Sequence, residues 1–188
     1  MPREATLRHL AGLYAASPDP WGHLSRPYER AKYHETLRAV GPGPFEEAVE
    51  VGCGNGALSD LLAPRCRRLR ALDAVPGALA LAQARLARHP QVEVARAVAP
   101  QGLPDAAPDL VLLSEVLYFL RPEEVDALAA WIARRARPGA RVVAVNWTGP
   151  TGEALTGPAA ADRLRAALPW PGLRRMREGY AIDVLARP

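Results

Sequence analysis

The 188-residue chain has almost no lysine: Lys32 stands alone, and arginine supplies the remaining permanent positive charge. The formal net charge of +4 comes from arginine clusters at 65–70, 134–137 and 174–177 that nearby acids almost balance. These read as solvated helix ends and strand edges. Nucleic-acid binding is not expected, because neither a helix-turn-helix nor an aromatic RNP-type strand is visible. Cysteine is equally scarce. Cys53 and Cys66 are the only two and form no C-x-x-C pair, which argues against a disulfide framework and a structural zinc site. His9, His23 and His89 lack any spacing that builds a metal site, so no metal is expected. No apolar run approaches the ~20 residues of a membrane span. The first residues, MPREATLRHLAG, lack the apolar stretch of a secretory signal. The expectation is a cytoplasmic protein with no membrane partner. Nothing in the residues sets an oligomeric state.

Residues 46–60, EEAVEVGCGNGALSD, carry the strongest local signal. A short β-run, Ala48 to Val51, enters a turn with Gly52, Gly54 and Gly56, and a helix-forming segment follows at once. Glycine lets a backbone turn sharply and lets a ligand approach its N–H groups. The helix start behind the turn adds unpaired donors and a partial positive charge. This is the pattern of a nucleotide-type cofactor loop.

Around that loop the punctuation is regular. Residues 4–16 and about 28–40 have helical spacing, separated by the proline-rich segment SPDPWGHLSRPYER and closed by Gly41-Pro42-Gly43-Pro44. Strands are expected at 68–73, 92–98, 110–114 and 141–146, with helices at 76–88, 122–136 and near 159–167. Alternating strands and helices imply right-handed crossovers and a mostly parallel sheet covered on both faces. The last two strand-like stretches, 173–177 and 180–186, are joined by too few residues for a crossover, so they pair antiparallel. The fold class is α/β: a Rossmann-like, seven-stranded, mostly parallel sheet with a terminal hairpin. It forms one domain, residues 45–188 as core and 1–44 as a helical N-terminal extension or lid.

The spacing Gly52-x-Gly54-x-x-Ala57 also fits a dinucleotide fingerprint, so the loop alone leaves the cofactor open. Asp73 ends the second strand, where a carboxylate can accept two ribose hydroxyls of either cofactor. Glu50 completes an E-x-G-x-G-x-G pattern, and the terminal hairpin stands where a dehydrogenase has its second mononucleotide half.

On these residues the chain resembles class I S-adenosylmethionine-dependent methyltransferases, whose first motif is matched by Glu50-Val51-Gly52-Cys53-Gly54-Asn55-Gly56. More narrowly, DPWGHLSRPYERAKYHETL at 19–37, LSEVLYFL at 113–120 and NWTGP at 146–150 resemble the NodS nodulation-protein methyltransferases. That resemblance implies S-adenosyl-L-methionine as cofactor and a small-molecule acceptor. It points to N-methylation of an amino sugar or other amine. The family is known for methylating the free amino group of deacetylated chitooligosaccharides. This chain has Asn146 where the family pattern has histidine, and Leu117 and Phe119 where it has Gly and Tyr, substitutions expected to narrow or dry the pocket.

The expected cofactor wall comprises Glu50, Gly52, Cys53, Gly54, Asn55 and Gly56 with Asp73. Ala74, Ala97, Val98 and Ser114 adjoin it at the following strand ends. Trp21 either folds over the cofactor with its π face near the sulfonium or anchors the N-terminal segment. A guanidinium fork at Arg30 suits the methionine carboxylate. Glu115, at the carboxyl end of a buried strand, is the expected catalytic group, either taking a proton from an ammonium or orienting it. Tyr28, His34, Tyr118, Asn146 and Trp147 are the expected acceptor contacts. Two rival functions stay open: an O-methyltransferase of a secondary-metabolite pathway, which predicts a neutral or apolar pocket, and a non-catalytic NAD(P)-binding module.

Overall fold

The computed structural model describes residues 3–188. Two helices, α1 (Arg3–Ala16) and α2 (Pro27–Val40), precede β1 (Ala48–Val51) and α3 (Ala57–Leu62). Then come β2 (Leu69–Asp73), α4 (Pro76–Leu86), β3 (Val92–Arg96), β4 (Leu110–Ser114) and α5 (Pro122–Arg135). The chain ends with β5 (Arg141–Trp147), α6 (Gly157–Ala167), β6 (Gly172–Met176) and β7 (Tyr180–Ala186). The seven strands lie in the order β3-β2-β1-β4-β5-β7-β6. Five run parallel, and β7 pairs antiparallel with both β5 and β6. Strand order reverses between β1 and β4, and ligands of open α/β sheets bind at the carboxyl ends beside such a switch.

The two faces of the sheet bury different partners. Val49, Val111, Leu113, Val142 and Ala144 pack towards α5 and α6, where Leu128, Ile132 and Leu164 meet them. The alternate residues Ala48, Leu110, Leu112, Val143 and Val145 face Leu37 and Val40 of α2 and Leu58 and Leu62 of α3. Near-continuous apolar runs are what a strand covered on both faces needs. Helix α2 is therefore a layer of the core, through Tyr33, Leu37 and Val40. Only α1 and the loop after it lie over the sheet's end as a cover.

Element ends differ from expectation for local reasons. Helix α4 stops at Leu86 because His89-Pro90 follows, and the residue before a proline is pushed out of helical geometry. Strand β3 ends at Arg96 because its partner β2 ends at Asp73, the last pair of the ladder. Strand β5 gains Trp147, which finds Tyr180 opposite. Among the described residues no helix is long and apolar enough to cross a membrane.

Glu50 sits on β1 and is almost wholly buried, so its carboxyl faces no solvent. The Ser59 hydroxyl of α3 donates to its Oε2 at 2.6 Å. Burial outweighs this bond and pushes the carboxyl up to about 7, with Asp73 adding to the rise. A carboxyl raised in the folded state favours folding at low pH and loses that contribution as pH climbs through about 7. Glu50→Gln keeps an acceptor for Ser59 and removes the titration. Urea unfolding at about pH 5 and about pH 8 should show the wild type losing roughly 1–3 kcal/mol relative to the variant over that interval. Parallel pH dependences in the two proteins would contradict the assignment.

Candidate active site

A cavity of about 900 Å³ opens over the carboxyl ends of β1, β2 and β4 and is walled by α1, the 17–26 loop and α2. Its floor holds Gly52, Gly54, Asp73 and Ala74, with Ala97, Val98 and Ser114 continuing the rim. Gly52 and Gly54 both have positive φ, 82° and 55°. A Cβ on Gly52 would lie 2.9 Å from the Val116 side chain, and one on Gly54 would lie 2.7 Å from the Tyr14 hydroxyl. Glycine is required here by both conformation and space. Asp73 accepts from the N–H groups of Gly54 (2.8 Å) and Val75 (2.9 Å), which fix its carboxylate on the cavity floor. Burial raises its carboxyl, and these N–H donors oppose the rise. The carboxylate keeps acceptor capacity for a ligand hydroxyl. A bare glycine cradle beside a fixed carboxylate fits a nucleoside-bearing cofactor.

The other expected loop residues do not reach the cavity. Cys53 is buried among Ala71, Leu79 and Ala82, and Gly56 packs on Ala82 and Leu86 of α4. Glu50 lies beneath the floor with Ser59. Asn55 turns to the N-terminal loop, where its Nδ2 donates to Pro18 O (3.2 Å) and Asp19 Oδ1 (3.3 Å). Cys53 and Asn55 alternate with Gly52 and Gly54 and turn away from the cavity, while Gly56 is already the N-cap of α3 and packs on α4.

Helix α2 overturns two further expectations. Arg30 and His34 are exposed and stand outside the cavity wall. Positions 30 and 34 share one helix stripe, whereas Glu29 and Lys32 share the stripe facing the cavity. Arg26, in extended backbone just before α2, joins the cavity wall instead. On β5 the same logic separates Asn146 from Trp147, because successive strand residues face opposite sides. Trp147 lines the cavity. Asn146 points towards α6, near Gly157, with both polar side-chain atoms unpaired. Leu117 also leaves the pocket for the α5–α6 core, and Phe119 alone of the two substituted positions lines it.

Glu115 is the hub of the far end. It is the one described non-glycine residue with positive φ, 55°, directly after β4. Such a left-handed residue costs on the order of 1–3 kcal/mol and marks a conformation that its contacts must hold. Its Oε1 receives Lys32 Nζ at 2.9 Å. Its Oε2 receives the Tyr118 hydroxyl at 3.0 Å and the Trp147 N–H at 2.7 Å. Lys32 also pairs with Glu29, Nζ lying 3.2 Å from Oε1 and 3.0 Å from Oε2. Burial lowers the Lys32 ammonium's affinity for its proton, but the two carboxylates and their hydrogen bonds together raise it above the ordinary value. Tyr28 lies half exposed at the mouth, its hydroxyl donating to Glu178 O, with Lys32 Nζ 5.5 Å from its ring centre. Trp21 stacks on His23 and meets Tyr14 edge-on, so it lines the cavity and fastens the loop at once. Thr6 of α1 donates to Glu153 at 3.1 Å, joining the cover to the β5–α6 loop.

Lys32, Glu29, His23, Arg26 and Tyr14 are cavity residues that sequence reasoning missed. A signal for the first existed: the single lysine of an arginine-rich chain, three residues after a glutamate. Among the described residues, no group of three metal-ligating side chains gathers anywhere.

Comparison with known proteins sets this geometry in a family. The chain is 35% identical over 121 residues to nodulation protein S of Sinorhizobium fredii, 64% of this chain and 55% of that relative. The chain thus spans about half the length of the curated relatives it matches. Its fold is similar to N-methyltransferase NodS from Bradyrhizobium japonicum in complex with S-adenosyl-L-homocysteine. That match has a TM-score of 0.85 and 24% identity, covering 97% of this chain and 98% of the other. A putative methyltransferase from Pseudomonas syringae matches with TM-score 0.76 and 29% identity over 86% of this chain and all of the other. The profile of the family described as nodulation protein S (NodS) matches residues 5–135, which is well over half of the chain. This protein therefore belongs to the NodS family.

Proposed function

We propose that the chain is an S-adenosylmethionine-dependent methyltransferase that N-methylates a small polar amine, an amino sugar being the acceptor class the family suggests. The observation that carries this reading is the polarity of the cavity over the sheet's carboxyl end. A glycine cradle and Asp73 stand at one end, and carboxylates of Glu29 and Glu115 stand at the other. The cofactor, when bound, supplies an activated methyl group on a sulfonium. Asp73 would hold its ribose, Gly52 and Gly54 would let its backbone contacts close, and Ala74, Ala97 and Val98 would flank its base. Ser114 would close that wall beside the acceptor.

For this chemistry the protein's task is alignment and water exclusion, effects that supply roughly 7–11 kcal/mol at near-attack geometry. Glu115 already accepts three donors. Its remaining lone pair suits it to anchor an ammonium, the orienting role, rather than to carry the proton away. Tyr118 and Trp147 fix that anchor, and Tyr28 stands at the entrance. A hydroxyl-directed O-methyltransferase predicts a neutral or apolar pocket, and the two carboxylates favour a cationic acceptor instead.

Calorimetry with S-adenosylhomocysteine and with NADH tests the cofactor. S-adenosylhomocysteine should bind, and Asp73→Ala should weaken it by roughly 10–100-fold, the cost of losing charge-assisted bonds. Binding of NADH alone would overturn the reading in favour of a dinucleotide module. A second experiment tests the anchor. Glu115→Gln should raise the acceptor KM by roughly 10–100-fold while leaving S-adenosylhomocysteine affinity within a few-fold. An unchanged KM would remove Glu115 from the acceptor site.

A further inference from the structure

His23 lies on the cavity wall in the loop before α2. Its side chain is 19% exposed. The ring is stacked on Trp21 at 5.6 Å between centres and tilted against Tyr33 at 5.9 Å. The loop is pinned from below, because Asp19 accepts the N–H groups of His23 (2.8 Å) and Leu24 (3.0 Å). The imidazole is thus held by its faces and its backbone, and its Nε2 has no hydrogen-bond partner among the described residues.

The neighbour of that nitrogen is equally unusual. Glu29 Oε2 is buried and accepts no hydrogen bond, although Lys32 Nζ lies 3.0 Å away as an ion pair. His23 Nε2 stands 4.0 Å from this oxygen, too far for a hydrogen bond and close enough to become one by a small ring movement. A proton on Nε2, whichever way its N–H points, would make the ring a cation beside this carboxylate and turn the contact into an ion pair.

We propose that His23 is the general base of the reaction, its Nε2 taking the proton from the acceptor ammonium, with Glu29 as the positioning residue that stabilises the resulting imidazolium. This rests on the methyltransferase reading above. In the step, the ammonium R–NH₃⁺ passes one proton to Nε2. The freed nitrogen lone pair forms the new N–C bond to the methyl carbon, the C–S bond breaks, and its electron pair stays on sulfur. The products are R–NH₂⁺–CH₃ and the neutral thioether, and the proton on His23 then leaves to water. Glu115 is spared this task because its three donors hold it as the anchor.

The electrostatics agree in direction. Burial, the largest influence, keeps the His23 ring below the ordinary 6.5, and Lys32 lowers it further, while Glu29, Asp19 and Glu115 oppose. Those four charged groups come from α2, from the loop itself and from the end of β4; the Tyr33 and Trp21 rings complete the surround. A ring held below 6.5 is neutral at physiological pH and free to accept a proton.

The test follows the ring directly as well as the rate. Imidazole NMR titration should place His23 below the ordinary histidine range. Glu29→Gln, which removes a favourable charge, should lower it further, and Lys32→Met should raise it. In turnover, His23→Asn should lower kcat at neutral pH by roughly 10²-fold or more. Its kcat should climb about tenfold per pH unit where the wild type is flat, since only pre-deprotonated amine then reacts. S-adenosylhomocysteine affinity should be retained, showing that the variant is folded. A His23 midpoint at or above the ordinary value, a midpoint unmoved by Glu29→Gln, or a His23→Asn pH profile parallel to the wild type would each overturn the assignment. Failure of the wild-type chain to bind S-adenosylhomocysteine would instead overturn the methyltransferase reading itself.

Discussion

The ammonium of Lys32 between Glu29 and Glu115 is the interaction on which the site depends. It is 5% exposed, so three charges have left bulk water together. Each such transfer costs several kcal/mol and is offset only by close pairing with full hydrogen bonding. The pairing here is close, and it spans the fold: Glu29 and Lys32 belong to α2, while Glu115 follows β4 and is tied to β5 through the Trp147 N–H. One lysine thereby fixes a core helix to the carboxyl end of the sheet. With the Tyr118 hydroxyl and the Trp147 N–H it also holds Glu115 in its left-handed backbone conformation. The cluster carries one positive and two negative charges, a net negative balance at that end of the cavity.

A second link joins the two ends of the cavity. Asn55 belongs to the glycine turn, yet its amide reaches Pro18 O and Asp19 Oδ1. Asp19 in turn holds the backbone of His23 and Leu24. The cofactor loop and the loop that carries Trp21 and His23 are therefore one hydrogen-bonded unit. These bonds tie the two loops together across a cavity of about 900 Å³, so a shift in either is passed to the other.

The fold was legible in the sequence because its signals are local. Glycines, prolines and apolar runs mark each element, and the short final connection allows nothing but a hairpin. The cavity floor was legible for the same reason, through Gly52, Gly54 and Asp73. Beyond that, legibility failed where side-chain direction decides. Arg30 and Arg26 differ by four residues, but Arg26 precedes the helix in extended backbone and leaves its cylinder. Asn146 and Trp147 are neighbours on a strand and so face opposite sides. Glu29 and His23 were hidden for another reason: each matters only through a partner distant in sequence or outside its own element, and spacing carries no such information.

The choice of lysine at position 32 shows how the chemistry constrains an otherwise arginine-built protein. A guanidinium presents a planar fork suited to one carboxylate edge, whereas an ammonium distributes three donors around a point. Here two carboxylates converge from different elements, and the Tyr28 ring lies 5.5 Å away. A point charge satisfies that geometry, and a fork would have to turn away from one partner. The hydrogen bonds of Lys32 go to Glu29 Oε1 and Glu115 Oε1, and Glu29 Oε2 is left facing His23. The lysine head group thus reaches both oxygens of Glu29 and one of Glu115, and Glu29 Oε2 is the oxygen that also faces the imidazole, 4.0 Å from its Nε2.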